Sequence, residues 1–330
     1  MKVGIRADGG PSMGFGHLIR TGAVAAECLR RGDTVVYLTT TPDAVTTTLP
    51  DSITVETLDT VDNSMEVAQA LEEHTIDTVF IDLFEADTAY QRTLAQSDSK
   101  IVVRENYLNH TVCCDTLVYG DLHAPTLDYE WVGTKPEFLL GPDYVLLREQ
   151  FRKIARKEPN WRPKPTRALI TMGGSDVSNT TPAAMEAFQS FSGTVDVVIG
   201  PGFSNAEEIE RAAESLPTRF NLLYSPDNMA ELMQQADVAV SAVGGTVFEL
   251  LATRTPFVGI PQVDNQMQRA EALRRNELAR IVTTGDALVS EVEELFEDDR
   301  RRRRFFERMA GVVDGNGAKR VWNRFDEDSI

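Results

Sequence analysis

Lysine is scarce in this chain. It occupies positions 2, 100, 135, 153, 157, 164 and 319 only, and arginine supplies the rest of the 33 basic residues. Against 51 acidic residues this leaves a net charge of −18. Such a balance excludes a nucleic acid held by general electrostatics. Excess Asp and Glu with little Lys instead suits a protein kept soluble in concentrated salt, where charge repulsion is screened. The one dense basic run, Arg300–Arg304, directly follows Glu293, Glu294, Glu297, Asp298 and Asp299, and reads as the solvated side of a helix.

Cysteine is nearly absent. Cys28, Cys113 and Cys114 cannot make a disulfide framework. His110 and His123 flank the Cys pair, but adjacent cysteines suit tetrahedral zinc poorly, so no metal site is expected. Long apolar runs are missing as well: none reaches the ~18–20 residues of a membrane span. Met1 leads straight into a strand without a signal-peptide pattern. The expectation is a cytoplasmic protein with no integral membrane segment.

What is present is an ordinary globular composition, 42% hydrophobic and 25% charged, over a length that suits two domains with separate cores. Short apolar strands alternate with helical segments. Val3–Ile5, Thr34–Thr39, Thr78–Asp82, Lys100–Val103 and Thr116–Tyr119 read as strands. Leu18–Arg31, Ser64–Glu73 and Thr88–Gln96 read as helices between them. This is the βαβ rhythm of a doubly wound domain. A stretch rich in proline and charge, 157–167, reads as a linker. The rhythm then restarts with strands at Ala168–Thr171, Val195–Ile199, Asn221–Tyr224, Val238–Ser241 and Phe257–Ile260. The predicted architecture is α/β, with two Rossmann-like parallel-sheet domains over 1–156 and 168–317. A last helix in 318–330 would cross back to the first domain. Two such domains place a ligand cleft at the carboxyl ends of their strands.

Three glycine-bearing turns would line it. The first carries Gly9, Gly10, Gly14 and Gly16 and ends on His17 at a helix start, where backbone N–H groups favour an anion. It is not a P-loop, because Phe15-Gly16 stands where Lys-Ser/Thr belongs. Nor is it a dinucleotide fingerprint, because Ile19 stands where a third glycine belongs. The second turn is Gly173-Gly174-Ser175-Asp176, with a serine able to donate to a phosphate oxygen. The third is Gly244-Gly245-Thr246, a diphosphate site at a helix N-terminus, with Glu249 placed to accept from ribose hydroxyls or simply to suit the helix dipole. The amide-rich segment Gln262-Val263-Asp264-Asn265-Gln266 would face the same region or remain solvated loop.

Several blocks together resemble one family. They are Arg6-Ala7-Asp8, Gly14-Phe15-Gly16-His17 with Arg20, the run from Gly141 to Arg148, Gly173-Gly174-Ser175-Asp176, Asp264-Asn265-Gln266, and Asp314 to Ala318. In this order they are similar to the PseG and SpsG-like proteins, hydrolases of UDP-2,4-diacetamido-2,4,6-trideoxy-β-L-altropyranose and their relatives, within the MurG-like GT-B superfamily. The resemblance implies a GT-B fold that needs neither metal nor cofactor, with the nucleotide bound mainly by the second domain. It also implies hydrolysis of a UDP-sugar by water at the anomeric carbon, with His17 as general base. The binding residues carried over are Arg6, Asp8, Gly14, Gly16, Arg20, Gly173, Gly174, Ser175, Gly244, Gly245, Thr246, Glu249, Asn265 and Gln266.

Two positions depart from the family's pattern. Asp82 is followed by Phe84 where a tyrosine is expected, and Val103 by Arg104 where consecutive acidic residues are expected. Both lie on the sugar side, so a related nucleotide sugar with different substituents is the expected substrate. A MurG-like glycosyltransferase and a non-catalytic nucleotide-sugar binding protein are the alternatives. The acidic composition speaks against the first and His17 against the second. No oligomer is required.

Overall fold

The computed structural model describes residues 1–10, 13–105, 107–159, 161–283 and 287–326. The chain divides into two α/β units, Met1–Arg148 together with the chain from Asn316 onward, and Glu149–Gly315.

The first unit runs β1 (Lys2–Ala7), α1 (Gly16–Arg31), β2 (Thr34–Thr39), α2 (Pro42–Thr48), β3 (Thr54–Thr57), α3 (Ser64–Glu73), β4 (Thr78–Asp82), α4 (Thr88–Leu94), β5 (Lys100–Arg104), β6 (Thr116–Tyr119) and β7 (Glu137–Leu140). Among the described residues these strands form one sheet in the order β3-β2-β1-β4-β5-β6-β7, parallel at every pairing. The central strand β4, TVFID, is buried at all five positions, as a strand covered on both faces must be. One core lies on each side of the sheet. Val3, Ile5, Tyr37, Phe80 and Trp322 belong to one, and Leu38, Val79, Ile81, Tyr90 and Ile101 to the other.

Helix starts follow local chemistry. Asn63 accepts from the Glu66 N–H at the start of α3, and Asp87 from the Tyr90 N–H at the start of α4. Gly32 ends α1 with φ +87, a left-handed conformation that glycine adopts without strain.

The second unit runs α5 (Glu149–Ala155), β8 (Arg167–Thr171), α6 (Thr181–Glu186), β9 (Thr194–Ile199), α7 (Ala206–Ser215), β10 (Arg219–Tyr224), α8 (Met229–Gln235), β11 (Val238–Ala242), α9 (Thr246–Thr253), β12 (Phe257–Ile260), α10 (Met267–Arg275), β13 (Arg280–Ile281), α11 (Leu288–Glu297) and α12 (Asp299–Arg308). Its sheet has the order β10-β9-β8-β11-β12-β13 and is also parallel. α13 (Gly317–Asp326) then returns to the first unit and packs on α1, burying Trp322.

Two expectations are corrected here. The boundary lies at Arg148/Glu149 and not within 157–167, because α5 packs against α8 and α9 of the second unit. The Arg300–Arg304 run is not wholly a solvated face. Arg300, Arg303 and Arg304 are exposed, but Arg302 is fully buried. Its guanidinium donates to the carbonyls of Phe296 (3.3 Å), Arg162 (3.0 Å) and Pro163 (2.6 Å) and lies over the Trp161 ring, so the supposed linker is tied onto α12. Among the described residues, no helix is long and apolar enough to cross a membrane.

Candidate functional site

In each sheet the strand order reverses direction once, between β1 and β4 in the first unit and between β8 and β11 in the second. Loops leaving the carboxyl ends of two such strands splay apart, and the crevice they leave is where doubly wound sheets bind ligands. The glycine turns sit at these two points.

In the first unit the loop after β1 is closed by paired backbone hydrogen bonds between Gly10 and Gly14 (3.1 and 2.7 Å), and Gly14 takes φ +82. This delivers the chain to the start of α1. Among the described residues no side chain caps that helix N-terminus, and its first turn holds no acidic residue. His17 sits in this turn, largely buried, with its ring edge-on to Phe84 (centroids 4.9 Å apart). Across the sheet's turning point, Asp82 ends β4. His17 Nδ1 lies 2.9 Å from the Asp82 carbonyl and 3.0 Å from its Oδ1. Arg20, one turn further along α1, donates from Nε to Asp82 Oδ2 (2.5 Å) and from Nη2 to Oδ1 (3.0 Å). Arg104, at the end of β5, brings Nη1 to 3.7 Å from Oδ1. Burial pushes the Asp82 carboxyl up, but the Arg20, His17 and Arg104 charges overcome this and hold it well below the usual carboxylate range.

Nδ1 thus faces two Asp82 acceptors and the Arg20 Nη2 donor (2.9 Å), contacts that fix the orientation of the ring. Nε2 makes no hydrogen bond among the described residues.

Arg6 and Asp8 are elsewhere. They were expected to touch substrate, but both side chains are fully buried and paired at 2.7 Å. Arg6 also donates to the carbonyls of Leu38 (3.3 Å) and Val61 (3.0 Å), and Asp8 accepts from Thr39 Oγ1 (2.8 Å) and the Thr40 N–H (2.6 Å). This buried ion pair is a brace, although Arg6 Nε has no hydrogen-bond partner among the described residues. It ties the end of β1 to the loop after β2, and so sets where the His17 loop begins.

In the second unit the turns after β8, β9, β11 and β12 come together. Gly173 takes φ +80, and a side chain there would approach Thr246 Oγ1 to 3.7 Å. Gly174 and Gly245 are exposed, whereas Gly244, Ser175, Thr246 and Glu249 are half-buried. Ser175 lies under Gly202, whose N–H donates to the Gly174 carbonyl (2.9 Å). A side chain at Gly200 or Gly202 would collide with the 173–175 turn. Gln266 Oε1 accepts from the Gln262 N–H (2.9 Å), and Gln262 Nε2 donates to Thr180 Oγ1 (3.2 Å), while Asn265 is exposed. Asp176 accepts from the N–H groups of Thr180 and Thr181 (both 2.8 Å), so it caps α6.

Sequence reasoning missed several of these parts. Asp82 drew notice only for the residue that follows it, although a carboxylate at the carboxyl end of an all-buried strand was a usable signal. Gly200 and Gly202 gave none, because each acts on a turn far away in the chain.

Residues 169–324 match the glycosyltransferase family 28 C-terminal domain. An uncharacterised protein of Methanocaldococcus jannaschii is 28% identical over 82% of this chain, which spans 57% of that relative's length. The spore coat polysaccharide biosynthesis protein SpsG of Bacillus subtilis is 23% identical over 97% of this chain and 96% of its own. The UDP-2,4-diacetamido-2,4,6-trideoxy-β-L-altropyranose hydrolase of Campylobacter jejuni is 25% identical over 83% of this chain and 97% of its own. Among solved structures, MurG of Acinetobacter baumannii superposes with a TM-score of 0.70 at 14% identity over 99% of both chains, a likeness of fold. With two parallel α/β units, a match to the family 28 C-terminal domain and relatives of this kind along its length, the chain has the GT-B fold and is similar to the PseG/SpsG-like proteins.

Proposed function

We propose that the protein hydrolyses a UDP-activated deoxy or amino sugar, a precursor in surface-glycan or nonulosonic acid synthesis. The observation that carries this reading is the Asp82–His17 pair, with Nδ1 held and Nε2 unengaged at the turning point of the first sheet. His17 Nε2 takes a proton from water as its oxygen bonds to the anomeric carbon. The bond from that carbon to the diphosphate oxygen breaks, and UDP leaves with the electron pair. A neutral imidazole does this near pH 7 without large tuning. On this reading Gly14, Gly16 and the open start of α1 offer backbone donors to the developing negative charge. Gly173, Gly174, Ser175, Gly244, Gly245 and Thr246 hold the diphosphate, Glu249 the ribose, and Asn265 and Gln266 the remaining polar groups of the nucleotide. The name of the Campylobacter relative supports this substrate class. Phe84 and Arg104 fit a sugar with other substituents than that relative's.

The test is release of free nucleotide from a panel of UDP-, GDP- and CMP-sugars without any acceptor. Wild type should release UDP, and His17→Asn should lose about 10²–10⁴-fold in rate. Glu249→Ala should weaken UDP binding and leave the fold intact. Tight UDP-sugar binding without turnover would overturn the hydrolase reading. A second reading, transfer of the sugar to an acceptor, is favoured by the family 28 C-terminal domain. Turnover only after an acceptor is added would establish it.

A further inference from the structure

The four turns that come together in the second unit share a deficit. They lie within 168–210, 238–253 and 255–268, and none of these segments contains a lysine or an arginine. The acids at or just past the turns include Asp176, which caps α6, Glu249 in the first turn of α9, and the exposed Asp264. A nucleoside diphosphate adds negative charge of its own, and helix N-termini offset it only with partial charges. The first basic residue after the last turn is Arg269, in the first turn of α10. The helix dipole disfavours a cation at that position, so α10 does not explain it. Its side chain turns onto the Gly244 turn. Arg269 Nη1 donates to the carbonyl of Val243 (3.0 Å), and the guanidinium lies 5.2 Å from the centre of the Phe248 ring in the first turn of α9. The backbone next to it is bare. Among the described residues, a Cβ on Gly244 would approach only Gln266 Nε2, at 3.9 Å, and one on Gly245 would meet nothing within 4 Å.

We propose that Arg269 positions the Gly244 turn and supplies the positive charge that offsets the bound diphosphate. This rests on the reading of the Gly173 and Gly244 turns as the nucleotide site. Arg269 acts in two ways. Through the Val243 carbonyl it ties the entrance of the turn to α10, so that Gly244 and Gly245 keep one course into α9. Its charge then stands beside that bare backbone, where it favours an anion and does little for an uncharged nucleoside. The Phe248 ring face helps to hold the guanidinium in place. Lysine would keep the charge and lose the planar fork.

The experiment compares uridine, UMP and UDP as ligands of the intact protein, with calorimetry for the nucleotides and saturation-transfer NMR for uridine. Arg269→Gln should weaken UDP binding by about tenfold or more, the scale of one charge removed beside a partly solvated anion. It should weaken UMP by less and leave uridine unchanged, and the unchanged uridine affinity also reports that the variant is folded. Arg269→Lys should recover most of the affinity for UDP. Equal losses for uridine and UDP would mean that Arg269 only supports the turn, and would overturn the proposal. So would UDP binding in Arg269→Gln as tight as in wild type, or in Arg269→Lys as weak as in Arg269→Gln. A wild type that binds no UDP would sink the nucleotide site and this proposal together. A wild type that binds UDP but releases no nucleotide from any sugar in the panel would sink the hydrolase reading alone, and the ligand series would still decide the role of Arg269.

Discussion

Two carboxylates of the first unit show how burial assigns different work to the same functional group. Asp8 directly follows β1, Asp82 ends β4, and both are buried against arginine. Asp8 is sealed from solvent with Arg6 and Thr39, so Asp8→Asn should cost about 3–5 kcal/mol of stability by leaving Arg6 an unpaired buried charge. Nucleotide release per folded molecule should persist; a loss of turnover at unchanged stability, read by denaturant unfolding, would return Asp8 to the list of ligand contacts. Asp82 touches His17, and its depressed pKa makes a pH-dependent contribution. A folded-state pKa below the unfolded value of about 3.9 stabilises the protein above that pH, and the contribution is lost as pH falls through the folded pKa. The stability gap between wild type and Asp82→Asn should therefore be widest near neutrality and close below about pH 4. Thermal unfolding across that range measures it, and a gap that persists unchanged would deny the linkage. None of this was legible from residue types alone, since Arg6-Ala7-Asp8 and Asp82-Leu83-Phe84 look equally functional in sequence.

At the scale of elements, periodicity located most of the framework. Thr34–Thr39, Ser64–Glu73, Thr78–Asp82 and Thr116–Tyr119 are the observed bounds of β2, α3, β4 and β6. The elements passed over are those whose burial is incomplete. Thr54–Thr57 is an edge strand with exposed ends, and α2 buries only Val45. An edge strand needs an apolar pattern on one face at most, so its sequence carries little signal. α13 is the reverse case, a short helix whose attachment rests on one large residue. Trp322 is 1% exposed, packs in the core beneath α1, and donates from Nε1 to Asp33 Oδ2 (3.0 Å). Trp322→Ala should cost about 3–5 kcal/mol. Hydrogen exchange should show protection lost first in α13 and α1, and uniform loss through both units would mean that the helix is not a local clamp.

For the molecule as a whole, the excess of 18 negative charges opposes compaction at low ionic strength. The surface ion pairs between Arg and Glu, such as Arg303–Glu307 and Arg274–Glu271, are each worth little and are also screened by salt. Repulsion is the larger of the two effects, so the midpoint of thermal unfolding should rise between about 0.1 M and 1 M potassium chloride, where the Debye length falls from ~10 to ~3 Å. A midpoint that falls with added salt would show that the pairs outweigh the net charge. The deduction rests on composition alone, because net charge sums over the chain irrespective of fold.

By itself the sequence determined what depends on short-range order. Alternating strands and helices, two α/β units, and glycine turns opening helices all follow from patterns a few residues long. The resemblance of its motifs then pointed to the PseG/SpsG-like proteins. Only the tertiary structure decided which polar residues meet. His17 and Asp82 are 65 positions apart, and they touch because the order β2-β1-β4 sets the ends of β1 and β4 side by side. The same geometry withdrew Arg6 and Asp8 into the core and turned Arg20 onto Asp82. Burial and pairing are properties of neighbours in space, and the sheet order alone determines who those neighbours are.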